Sequence, residues 1–414
     1  MSIRAHGVLL LLVAPAFAAS YRFSAVWDGE KMHRGVCINT REDRIESIGA
    51  CPPNAIDMSR FTAIPGLIDV HTHMTNLTRR NPVSAPGRDA AIVYLAAAHA
   101  RKTLETGVTT VRDLGVSRDP TSESAASGHR GFTYPDIAMR DLINAGQMTG
   151  PRMFVAGYGL QIQRGVVARA NEATGPAEVV RFVRQQFYAG VDHIKMFGST
   201  GGGQDVSQAQ TFTYDEMKAA VDAAHALGKR IAIHSYGPDG ARDAVRAGAD
   251  SLEHATDIDD ATIAEMVRRK TWYVPTIDHN RFYAENVKLL GFAPESVKDL
   301  NNFIARNLET ARLAVKAGVR FAMGSDAVRS MFGENTRELG WFVKAGMTPE
   351  QALKAATVNG AELLGHEKSL GALRPGYFAD IVAVDGDPLA DVQVVIDKVR
   401  WVMKGGEVVV DKTK

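Results

Sequence analysis

The sequence predicts an α/β fold in which parallel strands and crossover helices close into a (β/α)8 barrel, with β-rich segments at both ends of the chain. Three observations carry this. Through the middle of the chain, helical patterns alternate with short apolar strands. Most of those helices close near a glycine. The polar residues of the strands gather at or near the strands' C-terminal ends instead of being scattered. The chain has 414 residues, enough for a large barrel and an accessory domain, and 45% of them are apolar, enough for a sizeable core. Lys+Arg is 48 against Asp+Glu 47, with the charges interspersed, so nothing points to nucleic acid as a partner.

The first element reads as an export signal covering residues 1–19. Arg4 and His6 give a short basic region, "VLLLLVAPAF" from Val8 to Phe17 an apolar one, and Ala16-Phe17-Ala18 a small-x-small cleavage pattern. The apolar run is shorter than the roughly 20 residues a membrane-spanning helix needs. Cleavage would leave a mature chain starting at Ala19 or Ser20 and working in the periplasm or outside the cell; an uncleaved interfacial helix is the competing reading. No cysteine follows the apolar run, which argues against a lipoprotein. No later run is long enough to span, so no membrane association is expected after cleavage.

Residues 20–64 read as short strands and turns, "YRFSAVWDGE", "HRGVCI" and "RIESIGA". The two cysteines, Cys37 and Cys51, flank a predicted hairpin, "CINTREDRIESIGAC". Pairing across it in an oxidising compartment and two separate thiols both stay open, because sequence does not supply the Cα distance a disulfide requires.

Residues 65–369 carry the alternation. "PGLIDVHTH", Pro65 to His73, is the first strand. Then "DAAIVYLAAAHARKTLETG" leads into "VTTVRDLG", "GPAEVVRFVRQQFYAG" into "VDHIKMFG", and "YDEMKAAVDAAHALGKR" into "IAIHS". "DGARDAVRAGAD" leads into "SLEHA" and "LETARLAVKAGVR" into "FAMGSDA". A helix with glycine near its C-cap, followed by a short apolar strand, is the rhythm of parallel strands joined by crossover helices. Strands this apolar are covered on both faces. A doubly wound open sheet is the competing fold, but no GxGxxG follows a first strand, and no organic cofactor site is expected. Residues 370–414, "GALRPGYFADIVAVDGDPLADVQVVIDKVRWVMKGGEVVV" and its tail, return to alternating β texture.

At the C-terminal strand ends lie His71, His73, His234, His254 and Asp326, with Lys195 in "HIKMFG". A barrel brings those ends to one face. His71 and His73, two apart on a strand, point to the same side, the spacing two ligands of one metal need. Each residue alone has a plainer reading: a hydrogen-bonded buried histidine, or Asp326 as a helix cap. Five convergent imidazole and carboxylate donors instead suit Zn²⁺ and similar ions. Lys195 sits between Ile194, Met196 and Phe197 on a strand expected to be buried, where an ammonium is costly. It either pairs with a carboxylate, Asp192 being nearby, or loses its charge by taking up CO₂ as a carbamate.

"PGLIDVHTH", "IKMF", "IAIHS", "SLEHA" and "GSDA", in that order, resemble the amidohydrolase superfamily, and the tail "LGALRPGYFADIVAVDGDPL" resembles its signature. The likeness is nearest to the binuclear subgroup of prolidase-like dipeptidases, Xaa-Arg/Lys dipeptidases and ochratoxin-hydrolysing amidases. It implies that residues 20–64 and 370–414 form one small composite β-sandwich beside the barrel. It further implies two divalent ions, Zn²⁺ by default with Mn²⁺ or Co²⁺ acceptable. His71, His73 and Asp326 would hold the first, His234 and His254 the second, and N6-carboxylated Lys195 would bridge them. A hydroxide between the metals would attack, the second metal would polarise the carbonyl, and Asp326 would move the proton to the leaving amine.

For substrate contact, Tyr236 in "HSYG" and Arg164 in "GYGLQIQRG" are the candidates, against plain packing for the tyrosine and a solvated loop for the arginine. "GSTGGG", Gly198 to Gly203, lacks the P-loop lysine and reads as a flexible loop beside Lys195. Val116 to Thr133 is longer than expected after the second strand and reads as a lid or rim. Phe332 replaces a histidine common in the resembled sequences and is expected to make the pocket wall near Asp326 more apolar. The reading is an exported metallohydrolase cleaving amide bonds of dipeptide-like or N-acyl amino-acid substrates, ochratoxin A fitting that description. Hydrolysis of a cyclic amide or lactone at the same site is the alternative. A metal binder on a dead enzyme fold has no need of a proton shuttle such as Asp326, and a structural zinc site would be Cys-rich. No helix advertises an oligomer contact, and a homo-oligomer remains open.

Overall fold

The computed structural model describes residues 18–77, 88–115, 134–166 and 168–414. The chain opens with strands Ala18–Trp27 (β1), Met32–Arg34 (β2), Cys37–Arg41 (β3), Arg44–Gly49 (β4) and Ile56–Pro65 (β5). In β1, Tyr21, Phe23 and Ala25 turn inward while Arg22 and Ser24 face out, the period-two pattern of a half-buried strand. Ala18 already pairs with Arg41, so the cleavage point expected from sequence falls at the start of this strand. β3 and β4 form the expected antiparallel hairpin. Cys37 and Cys51 are joined across it as a disulfide, with Cα atoms 5.0 Å apart.

The middle of the chain supplies Leu67–Thr72 (β6), Val108–Asp113 (β7), Arg152–Val155 (β8), Gln161–Ile162 (β9), Glu172–Ala173 (β10), Ile194–Phe197 (β11), Ile231–Ser235 (β12), Ser251–His254 (β13), Trp272–Val274 (β14) and Arg320–Phe321 (β15). β6, β7 and β8 form a three-stranded parallel sheet, β11 to β15 a five-stranded parallel one, and β9 and β10 a small side pair. Residues of β6, β7, β12, β13 and β14 are all buried, as strands covered on both faces must be. Backbone hydrogen bonds join the two sheets on both sides. Val70 N–H donates to Met323 O (2.8 Å) and Asp326 N–H to His71 O (2.7 Å); on the other side Asp192 N–H donates to Val155 O (2.8 Å) and Leu160 N–H to Lys195 O (2.9 Å).

The helices between the strands follow their sequence signals. Pro176–Ala189 buries Val179, Phe182 and Val183, then stops at Gly190, whose left-handed backbone lets its N–H reach Gln186 O and Phe187 O. Tyr214–Ala226 starts in a capping box between Thr213 and Glu216. Among the described residues no helix is long and apolar enough to cross a membrane.

The chain ends with Ile381–Val384 (β16), Val399–Lys404 (β17) and Glu407–Asp411 (β18). β16 pairs antiparallel with β5, so both ends of the chain enter one eight-stranded sheet, in the order β18-β17-β16-β5-β1-β3-β4 with β2 on β1. Its core holds Phe23, Ile38, Ile45, Phe61 and Ile381, with the rings of Tyr21 and Trp401 5.1 Å apart. The long segment Val116 to Thr133 lies outside the described residues, as does most of the expected export signal.

Candidate metal centre

The parallel strands bring the six predicted residues together. His71 lies in β6 and His73 one residue beyond it; His234 is in β12, His254 ends β13, and Asp326 follows β15. Lys195 departs from the expectation, being the second residue of β11 and so deeper than the strand end. Imidazole rings pass contact along the site: His73 to His71 at 5.4 Å, His71 to His254 at 4.9 Å, His254 to His234 at 4.5 Å. Asp326 Oδ1 lies 3.2 Å from His73 Nε2 and 3.6 Å from His71 Nε2. One ligand atom from each of these three residues falls within 4.8 Å of the others.

The backbone is held in costly shapes to achieve this. Asp326, His254 and Thr276 have φ of +50°, +73° and +49°, a region non-glycine residues rarely occupy. Asp69 restrains the Asp326 turn, accepting from Ser325 N–H (2.9 Å), from the Ser325 hydroxyl and from Asn335 Nδ2 (2.9 Å). Gly324 permits the approach to β6, since a Cβ there would sit 2.7 Å from His71 Cβ and 2.4 Å from Val274 Cγ1.

Hydrogen bonds decide where the imidazole lone pairs point. His73 Nδ1 lies 2.6 Å from Gly115 O, and a carbonyl only accepts, so Nδ1 carries a proton and Nε2 is the nitrogen turned toward Asp326. His279, on helix Ile277–Glu285, repeats the arrangement: its Nδ1 is 2.8 Å from Asp326 O and its Nε2 3.3 Å from Asp326 Oδ2. His254 Nδ1 meets Thr276 Oγ1 at 2.6 Å, and His71 Nδ1 meets Glu253 Oε2 at 2.7 Å. Lone pairs facing a carboxylate repel unless a proton or a cation lies among them.

The charges suit a cation. Burial pushes His234 down to about 3 and holds His71, His254 and His279 below the usual imidazole range, so these rings stay neutral. His73 is the exception: burial lowers it, but the bond to Asp326 outweighs that and raises it. Burial alone would raise the Asp326 carboxyl; His279, His71 and His73 outweigh it and hold the group well below the usual carboxylate range. Burial also pushes the Lys195 ammonium down to about 8. Lys195 Nζ and His234 Nε2 are both buried with no hydrogen-bond partner among the described residues. Orphaned nitrogens of this kind, able to offer a lone pair once deprotonated, fit a resident divalent ion beside an ionised carboxylate and neutral imidazoles.

Other expectations fare differently. Asp192 is not the partner of Lys195; it accepts from Arg140 (2.9 Å) and from Val155 N–H (2.8 Å). Tyr236 is buried and stacked on His234, 5.0 Å between centroids, and its hydroxyl accepts from Gly203 N–H at 3.2 Å. Arg164 is exposed on the loop after β9. The Gly198–Gly203 loop is tied down instead of loose: Gly202 and Asp205 exchange backbone bonds, and Gly203 O accepts from Asn280 Nδ2 (2.9 Å). Gly201 packs so closely on Tyr236 that a Cβ would lie 2.7 Å from its ring. Phe332 spends its ring on His99, stacked at 4.2 Å. Sequence reasoning missed Glu253, Arg112, Thr276 and His279. The first two carried a signal, a charge on an apolar strand; His279 and Thr276 carried none.

Compared with known proteins, residues 62–409 match the amidohydrolase family. The chain is 34% identical over 242 residues to an ochratoxinase from Aspergillus niger, a match covering 57% of this chain and 50% of the relative. The chain thus spans about half the length of that curated relative in the matched region. In three dimensions it is similar to a Xaa-Pro dipeptidase solved with bound methionine, with a TM-score of 0.82, 31% identity, and coverage of 95% of this chain and 99% of the other. It is likewise similar to the solved A. niger ochratoxinase, with a TM-score of 0.79, 25% identity and coverage of 96% and 97%.

Proposed function

The chain belongs to the amidohydrolase family, and from that premise we propose that it is an exported binuclear hydrolase of C–N bonds, cleaving amides of dipeptide-like or N-acyl amino-acid substrates. The observation that carries the proposal is the convergence of three imidazole Nε2 atoms on the Asp326 carboxylate beside the Lys195 amine, which has no hydrogen-bond partner among the described residues. The likeness to a Xaa-Pro dipeptidase and to an ochratoxinase favours substrates with an amide next to an amino-acid carboxylate. The Cys37–Cys51 disulfide favours an oxidising compartment, hence the periplasm or the exterior. The bonds joining β6 to the Asp326 segment and β8 to β11 favour a closed barrel over residues 65–369, and the shared eight-stranded sheet favours one composite domain from residues 20–64 and 370–414.

In this reading His71, His73 and Asp326 would hold one divalent ion, His234 and His254 would hold the other, and carboxylated Lys195 would serve both. When bound, the ions supply a water-derived nucleophile at neutral pH and Lewis acidity toward the scissile carbonyl. Lys195 would join the ligand set as its carbamate: the neutral amine adds to the carbon of CO₂, a C–O π pair moves onto oxygen, and the proton lost from nitrogen passes to water. Asp326 accepts a proton from the attacking water and passes it to the departing amine nitrogen, a poor leaving group as its anion. Tyr236 accepts from Gly203 N–H and so keeps its own hydroxyl proton for a substrate oxygen. Arg164, exposed and charged, is the candidate for pairing a substrate carboxylate.

Asp326→Asn tests the reading on a panel of Xaa-Pro, Xaa-Arg and Xaa-Phe dipeptides, N-acyl-phenylalanines and ochratoxin A. A loss of about 10²–10⁴-fold in kcat, with a folded protein, is expected. Turnover unchanged by the substitution, or absent from every substrate in wild type loaded with two metals, would refute it.

A further inference from the structure

Beneath the metal-ligand layer, the barrel strands carry a buried polar chain that crosses from β7 to β13 and returns to β6. Arg112, in β7, spends each arm of its guanidinium: Nε–H donates to Val70 O, Nη1 to the Ser251 hydroxyl (2.9 Å) and Nη2 to Glu253 Oε1 (2.8 Å). The Ser251 hydroxyl also donates to Glu253 Oε1. The other carboxylate oxygen, Oε2, faces His71 Nδ1 at 2.7 Å. Arg112, Ser251, Glu253 and His71 are all buried, none exposing more than 3% of its surface.

Proton counting makes the chain directional. Arginine only donates, and Glu253 Oε1 accepts from both Arg112 and the Ser251 hydroxyl, which leaves Oε2 as the acceptor facing His71. Its Oε2 therefore demands a proton on His71 Nδ1. A neutral imidazole has one, so Nε2 is left with a lone pair, 3.6 Å from Asp326 Oδ1. The same arginine grips the carbonyl of Val70, the residue before His71, so one guanidinium fixes the backbone on one side of the ligand and, through Glu253, its ring.

We propose that Arg112 and Glu253 are a positioning pair that locks His71 in the Nδ1–H tautomer and presents its Nε2 to the first metal. The inference rests on the metal reading above for its purpose, while the tautomer itself exists without metal. Glu253 touches no substrate and no reacting atom. Its replacement by an apolar residue would leave Arg112 buried and unpaired, a change that unfolds proteins whatever the role. The isosteric Glu253→Gln is the sharper probe. Arg112 and Ser251 both donate to Oε1, so the glutamine oxygen must stay there, and its NH₂ then faces His71 Nδ1. That nitrogen must become an acceptor, the proton moves to Nε2, and the lone pair aimed at the metal position is lost.

Two readouts decide. In metal-free protein, long-range ¹⁵N–¹H correlation of labelled histidines, with His71 assigned by its absence in His71→Asn, should give Nδ1–H in wild type and Nε2–H in Glu253→Gln. Zn²⁺ titration against a chromophoric chelator should show one of two sites weakened roughly 10–100-fold in Glu253→Gln, with the other spared. A plain packing role would move neither. Nε2–H in wild type, or a folded Glu253→Gln with wild-type tautomer and affinity, would overturn the proposal. The wild-type tautomer decides even if the variant fails to fold. Wild type that takes up no metal would sink the metal reading instead, and the spectra would still judge Glu253.

Discussion

Lys195→Met is expected to stabilise the metal-free protein while abolishing what the protein does. The amine is buried without a hydrogen-bond partner, and burial pushes its pKa from 10.5 down to about 8. Each pKa unit corresponds to about 1.4 kcal/mol, so confining the ammonium at pH 7 costs about 3 kcal/mol relative to the unfolded chain. Methionine fills nearly the same volume without a charge. The unfolded chain holds the lysine proton up to pH 10.5, whereas the folded one releases it near 8. Between those values the unfolded state binds more protons, so wild-type stability from this group rises with pH; below 8 the cost is fully present. Urea unfolding of chelator-treated protein should therefore find Lys195→Met more stable by up to about 3 kcal/mol at pH 7, and by clearly less at pH 9.5. If Lys195 serves both metals as proposed, the same variant should show no hydrolysis on the amide panel. A methionine variant less stable than wild type at pH 7, or a difference that ignores pH, would mean the amine has a partner and that its burial is not the source of its reactivity.

Other outcomes follow from the same geometry. Cys37→Ser opens a disulfide whose cysteines are 14 positions apart, and a loss of about 3 kcal/mol is expected by urea unfolding under non-reducing conditions; a loss below about 0.5 kcal/mol would leave the bridge without a stabilising role. Gly115→Ala would put a Cβ 2.1 Å from Gly157 O at a φ of +74°, displacing the carbonyl that fixes His73. It should cost about 1–3 kcal/mol in strain and weaken uptake of the first metal, and unchanged metal affinity would contradict that role for the carbonyl. Tyr236→Phe removes the acceptor of Gly203 N–H and the hydroxyl proton offered to substrate. About 1 kcal/mol of stability and about 10²-fold in kcat/KM should go, and a fall in stability alone would reduce Tyr236 to packing.

The sequence signal at Lys195 recurs at two residues that the sequence reading did not single out. A charge amid Ile194, Met196 and Phe197 signals something unusual on a buried strand, and the same logic applied to Arg112 in "VTTVRD" and Glu253 in "SLEH" would have exposed the pair beneath His71. His279 carries no such signal: it lies on a helix after a short strand, and only the fold brings its ring 3.3 Å from Asp326 Oδ2. The alternation of helix and apolar strand was readable because burial on both faces leaves a continuous apolar run, whereas the depth of Lys195 within β11 depends on strand stagger that no local pattern encodes. The cysteine pair stayed open for a similar reason, since a Cα distance of 5.0 Å is a property of the folded hairpin. The glycine loop from Gly198 to Gly203 looked loose by composition; its order comes from Tyr236 and Asn280, distant in sequence.

The measurement that bears most directly on the account is amide hydrolysis by the mature protein, stripped with a chelator and then restored with Zn²⁺ and bicarbonate. Cleavage of at least one dipeptide or N-acyl amino acid is expected to vanish on stripping and to return as two ions per chain are regained. Cleavage that survives complete removal of metal would contradict the account.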